Sequence, residues 1–125
     1  MADVLVAQED TLRRFVVTRQ LSARGHRVRG VANGAEVLEA LENQDFDVLV
    51  LDVHMPILGG VATAEIIRSS RKRYSGVPII ALTGRVLREE VERFLAAGMD
   101  HCVSRPYTVD RLQESIAQAL RPKAA

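Results

Sequence analysis

The chain has 125 residues, a length that suits one compact domain, and 47% of them are hydrophobic, enough for a sizeable core. Seventeen lysines and arginines against sixteen acids leave a formal charge of +1, which gives no footing for nucleic acid, an acidic tail or a membrane surface as partner. One cysteine, Cys102, excludes an internal disulfide framework and any multi-cysteine metal site, and suits a reducing compartment.

The first apolar run, residues 4–7, predicts a strand. From residue 11 to 24, Leu12, Phe15, Val16 and Leu21 recur at helical spacing, and Gly25 ends that helix. Residues 28–31 make a short, half-polar strand. Asn33-Gly34 is a turn, and residues 35–41 are helical. A second apolar strand covers 48–51, followed by a helix over 60–71 with Val61, Ala64, Ile66 and Ile67 on its inner face. The β-branched run 77–82 has Pro78 near its start, where a missing N–H does least harm. A helix over 88–97 ends at Gly98, residues 101–104 form a last strand, and Thr108 caps a helix to about residue 120. Only the residues from Arg121 to Ala125 read as untethered.

Five strand–helix pairs in strict alternation imply parallel strands with crossover helices on both faces. The all-apolar strands belong in the middle, since a parallel strand is covered on both sides, and the polar strand near residue 28 belongs at an edge. The expected fold is α/β: one doubly wound, flavodoxin-like sheet of order 2-1-3-4-5, with an ordered core over about residues 3–120. No apolar run approaches the roughly 20 residues that span a bilayer. MADVLVAQED lacks the basic start and long apolar stretch of a signal peptide, so the expected location is cytoplasmic. The sequence fits equally well as one domain of a longer protein.

Ligands of such sheets gather beyond the carboxyl ends of the strands. There the chain carries Gln8, Glu9 and Asp10 after the first strand, Asp52 and His54 after the third, Thr83 after the fourth and Arg105 after the fifth. Carboxylates held together repel unless something positive sits between them. A hard divalent cation such as Mg²⁺, which takes few protein carboxylates and several waters, is the natural answer. An ionised aspartate beside it can attack phosphorus, with Thr83 and Arg105 placed to neutralise phosphoryl oxygens.

Five segments, VLVAQED, GHRVRGVANGAEVLEAL, DVHMPILGG, PIIALTG and LAAGMDHCVSRP, resemble in order and spacing the receiver domain of two-component signalling, most closely the receivers of hybrid histidine kinases. The resemblance spans nearly the whole chain and reads residues 1–125 as a single receiver domain. It implies a phosphorelay role: Asp52 is the phosphoacceptor, Thr83 and Arg105 contact the phosphoryl group, and Mg²⁺ is held by Glu9, Asp52 and the backbone carbonyl of His54, with Asp10 and Gln8 as further candidates. The implied donor is a histidine kinase or histidine phosphotransfer domain, with the rest of its own hybrid kinase as a further candidate partner. Nothing implies an enzyme beyond self-catalysed phosphorylation and dephosphorylation.

The chain departs from the family at four points. Counting back from Gly25-His26, the two adjacent acids of the family fall on Gln8, which is neutral, and Glu9, one methylene longer than the usual aspartate. Asp10 stands where a polar non-acid is common and also reads as a helix N-cap. Arg105 replaces a lysine, and a planar fork is not interchangeable with a compact ammonium; the bond to Pro106 is often cis in the family. Cys102 occupies the position of a switching aromatic, and its plainer reading is a small buried residue. SSRKRYSG, with Arg68, Arg71, Lys72 and Arg73, reads as a solvated helix end, or as a docking surface for an acidic partner. His26 and His101 have no neighbours at metal-ligand spacing.

Two further readings stay open. A degenerate receiver would keep the fold as a phosphorylation-independent interaction module. A flavodoxin-like cofactor binder is disfavoured because Glu9 and Asp10 would repel a phosphate, and an aspartate-based phosphatase would need an acid where His54 stands.

Overall fold

The computed structural model describes residues 1–84 and 87–121. Its elements are β1 (Asp3–Ala7), α1 (Thr11–Ala23), β2 (Arg27–Val31), α2 (Gly34–Asn43), β3 (Val48–Asp52), α3 (Gly60–Ser69), β4 (Ile79–Thr83), α4 (Arg88–Ala96), β5 (His101–Ser104) and α5 (Val109–Ala119). The five strands form one sheet of order β2-β1-β3-β4-β5, and every pairing is parallel. The expected architecture and order are therefore present. Of the tail expected to be untethered, residues 122–125 lie outside the described residues.

The apolar alternation explains the two cores. Side chains of successive strand residues leave on opposite faces. Leu5, Leu49, Leu51 and Ile79 go to one face with Leu41, Ile67 and Phe94 from α2, α3 and α4. Val4, Val6, Val50 and Leu82 go to the other with Leu21 and Ile116 from α1 and α5. β3 and β4 are buried along their whole length, whereas three of five β2 residues are exposed, as the edge position requires.

Two helices sit differently from their apolar spacing. In α1 the buried residues are Val17 and Leu21, while Leu12 and Phe15 are 70% and 57% exposed and Val16 is exposed as well. The cause is a competing polar anchor. Arg14 Nη1 donates to the carbonyls of Gln8 (2.7 Å) and Glu9 (3.2 Å), and a Cβ at Gly30 would lie 3.1 Å from Arg14 Cγ and 3.2 Å from Thr18 Cγ2. The bare glycine of β2 lets the Arg14–Thr18 stripe lie against the strand, and this rotates Leu12 and Phe15 outward. In α3 the buried set is Gly60, Thr63, Ala64 and Ile67, and Ile66 is exposed. Thr63 is accommodated because its hydroxyl donates to the Gly59 carbonyl at 2.7 Å.

Candidate functional site

One open cavity of about 480 Å³ lies at the C-terminal ends of β1, β3 and β5, lined among others by Glu9, Asp10, Arg13, Asp52, His54 and Arg105; Thr83, at the end of β4, is not part of its lining. Asp52 is the last residue of β3 and only 6% exposed. Its Oδ1 accepts from the His54 N–H at 3.0 Å, and its Oδ2 accepts from Arg105 Nη2 at 3.1 Å. Burial pushes its carboxyl above the ordinary range; the His54 N–H and the Arg105 charge act the other way and do not cancel it. Gly60 keeps the chain after Asp52 in place, because a Cβ there would lie 2.6 Å from the Asp52 carbonyl oxygen.

Thr83 ends β4 and is buried, and its carbonyl accepts from Arg105 N–H at 2.8 Å. Arg105 follows β5, its peptide bond to Pro106 is cis, and its Nη1 lies by Gly84, where an added Cβ would be 3.6 Å away. Its Nε–H is buried and has no acceptor among the described residues.

At the end of β1 the three candidates part company. Gln8 is fully buried; its Nε2 donates to the Tyr107 hydroxyl at 3.3 Å, and its Oε1 has no partner among the described residues. Glu9 is exposed and lines the cavity. Asp10 caps α1: its Oδ1 accepts from Arg13 N–H at 3.0 Å, and that bond holds its carboxyl below the usual range. His54 exposes its imidazole at the cavity wall. Cys102 is half-buried in β5 against the core that α4 covers, and burial, with Glu90 nearby, pushes its thiol up.

Among the described residues no group of three or more His, Cys, Asp or Glu side chains could enclose a metal ion. What the cavity wall offers a cation is sparse: the carboxylates of Glu9, Asp10 and Asp52, of which Asp10 is engaged as a cap and Asp52 by Arg105, with His54 beside them. That donor chemistry fits a hard cation that keeps most of its waters and does not fit a closed cage.

The sequence reading missed Tyr107 and Arg13. Tyr107 supplies the hydroxyl that the neutral Gln8 requires, and burial raises its phenol; an amide standing where a strand-end acid was expected is the signal that a polar partner must be nearby. Arg13 is in the first turn after the Asp10 cap, a position that faces the strand ends. The basic run is solvated at Arg71, Lys72 and Arg73, which are all exposed, while Arg68 is half-buried, and three of the four bases are engaged within the chain. Arg68 binds the Gly98 and Ser75 carbonyls and Asp100, Arg73 binds the Leu41 carbonyl and Asp45, and Lys72 pairs with Glu42. His26 is structural: its Nδ1 accepts from Ala2 N–H at 3.1 Å and its Nε2 lies 2.7 Å from Gln113 Oε1.

The family model described as the response regulator receiver domain matches residues 4–117. Sensor protein EvgS of Escherichia coli is 32% identical over 92% of this chain, and the probable histidine kinase 1 of Oryza sativa subsp. indica is 28% identical over 98% of it. The chain spans only 9% and 16% of those two proteins respectively. Among solved structures, the chemotaxis protein CheY4 of Vibrio cholerae superposes with a TM-score of 0.90 at 28% identity, covering 96% of this chain and 99% of that one. The receiver domain of the sensor histidine kinase PA1611 of Pseudomonas aeruginosa, which has a magnesium ion coordinated in its active-site cleft, gives 0.86 at 28% identity, covering 95% and 97%. No helix among the described residues is long and apolar enough to cross a membrane.

Proposed function

The chain belongs to the response regulator receiver domain family, and from that premise we propose that Asp52 accepts a phosphoryl group from a phosphohistidine of a histidine kinase or phosphotransfer domain. The observation that carries this reading is the strand-end carboxylate of Asp52, buried, open to one cavity and held 3.1 Å from a guanidinium. In the transfer, an Asp52 oxygen forms a bond to phosphorus as the phosphorus–nitrogen bond to the histidine breaks, and the imidazole leaves with a proton. Arg105 would follow the charge from the carboxylate to the phosphoryl oxygens, and Thr83 ends the neighbouring strand, where its carbonyl accepts from the Arg105 N–H. Glu9, Asp52 and the His54 carbonyl would hold Mg²⁺, which supplies charge neutralisation for the phosphoryl oxygens; the sparse oxygen donor set supports this, as does the magnesium of the similar Pseudomonas receiver. The rest of a hybrid kinase is a fitting source of the donor, given the histidine kinases among the relatives.

The test is Mg²⁺-dependent labelling by a small phosphodonor such as phosphoramidate. Wild type is expected to take up one phosphoryl group and Asp52→Asn none; undiminished labelling of the variant would remove the assignment. A second reading, a receiver kept as an interaction module, is favoured by Gln8, which is neutral, buried and tied to Tyr107. No response of the amides around Asp52 to millimolar Mg²⁺, together with no labelling, would select it.

A further inference from the structure

The cavity over Asp52 contains a second cation. Arg13 lines it with Asp52 and Arg105, yet among the described residues no hydrogen bond or ion pair engages its guanidinium; only its backbone N–H is engaged, by the Asp10 cap. Its neighbour Arg14 is committed to two backbone carbonyls. Arg105 is only half used. In a planar guanidinium the Nε–H and one Nη2–H leave by the same edge, as a fork for two oxygens. Here Nη2 meets Asp52 Oδ2, and among the described residues the buried Nε–H meets no acceptor.

Charge makes these two observations one. Glu9, Asp10 and Asp52 bring three negative charges to the cavity wall, and Arg13 and Arg105 bring two positive ones. Phosphorylation would turn the single charge at Asp52 into about two. Gln8, in removing a further negative charge from the strand end, lowers the repulsion that the incoming group meets. The Arg13 charge already acts on Asp52.

We propose that Arg13 and Arg105 form a two-guanidinium seat for the phosphoryl oxygens at Asp52, so that the site holds its anion partly by fixed charge. The proposal rests on the reading of Asp52 as acceptor and adds a specificity-determining residue to it. Arg105 presents the two-donor edge from the sheet side, and Arg13 closes over the group from the first turn of α1.

The experiment titrates inorganic phosphate into the whole chain without and with Mg²⁺, followed by amide and arginine side-chain NMR, and separately measures phosphoramidate labelling. Arg13→Gln, Arg13→Lys and a control, Arg19→Gln, which removes the same charge from an exposed site on α1, are compared with wild type. Metal-free wild type is expected to bind phosphate with shifts at Asp52 and Arg105. Arg13→Gln should weaken binding about tenfold, the loss of one charge-assisted contact. Arg13→Lys should recover part of it, and Arg19→Gln should match wild type. Equal affinity of Arg13→Gln and wild type, an equal loss in Arg19→Gln, or no phosphate binding by metal-free wild type would each overturn the seat. Labelling that proceeds at Asp52 with no Arg13 dependence would overturn the seat and leave the acceptor reading intact. Arg13-dependent phosphate binding with no labelling would do the reverse.

Discussion

Asp52 carries a cost that its chemistry explains. The carboxyl is buried at the strand end, and burial outweighs the help of the His54 N–H and of Arg105, so its folded-state pKa is above its ordinary value of 3.8. For an acid shifted upward, the folded protein holds more protons than the unfolded chain between the two values. Stability therefore falls as pH rises through that window, and above it the ionised group carries its full cost. Asp52→Asn, which keeps the shape without the charge, should melt higher than wild type at neutral pH. The difference should shrink as pH falls and vanish below 3.8. Thermal melts of both proteins across this range decide it, and a variant that melts lower than wild type at neutral pH would show that the Arg105 pairing outweighs desolvation.

At the scale of elements, α1 shows how one polar side chain sets a whole face. Asp10 bonds the Arg13 N–H and satisfies one of the free amides of the first turn. If capping is its main task, Asp10→Ala should cost about 1 kcal/mol, and Asp10→Asn, an equally good cap, should cost almost nothing. Urea unfolding of the two variants measures this; an equal loss in both would move the weight to the charge. The cap was readable from Asp10 standing before a periodic apolar stretch, as was the Thr108 cap of α5, whose side chain accepts from Arg111 N–H at 3.1 Å. The rotation of α1 was not. Leu12, Phe15 and Val16 have the right spacing for a core face, but the choice between that stripe and Val17–Leu21 is made by Gly30 on another element and by Arg14 reaching the end of β1. The same is true of SSRKRYSG, whose bases find carbonyls and acids 28 to 32 residues away, at Asp45, Leu41 and Gly98.

For the molecule as a whole, strand order, and with it the meeting of Glu9, Asp52 and Arg105 at one cavity, could be read in advance because alternation and burial on two faces leave few ways to wind a parallel sheet. The pairing of Gln8 with Tyr107, 99 residues apart, could not, because nothing local to either residue requires it. The strand ends connect the site to the far side of the sheet. Val53 N–H donates to the Leu82 carbonyl at 3.0 Å and Arg105 N–H to the Thr83 carbonyl at 2.8 Å, so the ends of β3, β4 and β5 are stitched together where Asp52 sits. A group that draws in Arg105 and Thr83 pulls on β5, and three residues before Arg105 stands Cys102, half-buried opposite Ala81 with Glu90 of α4 nearby. As the single cysteine of the chain, it is a built-in reporter of the α4–β5 seam. Burial and the Glu90 charge keep its thiol protonated, so an aryl disulfide should modify the free domain slowly. Phosphodonor and Mg²⁺ should raise that rate several-fold in wild type and leave it unchanged in Asp52→Asn. An unaltered rate in fully labelled wild type would mean that the loaded site signals through α1 and the cavity mouth, where Leu12 and Phe15 are already exposed, and leaves the α4–β5 seam closed.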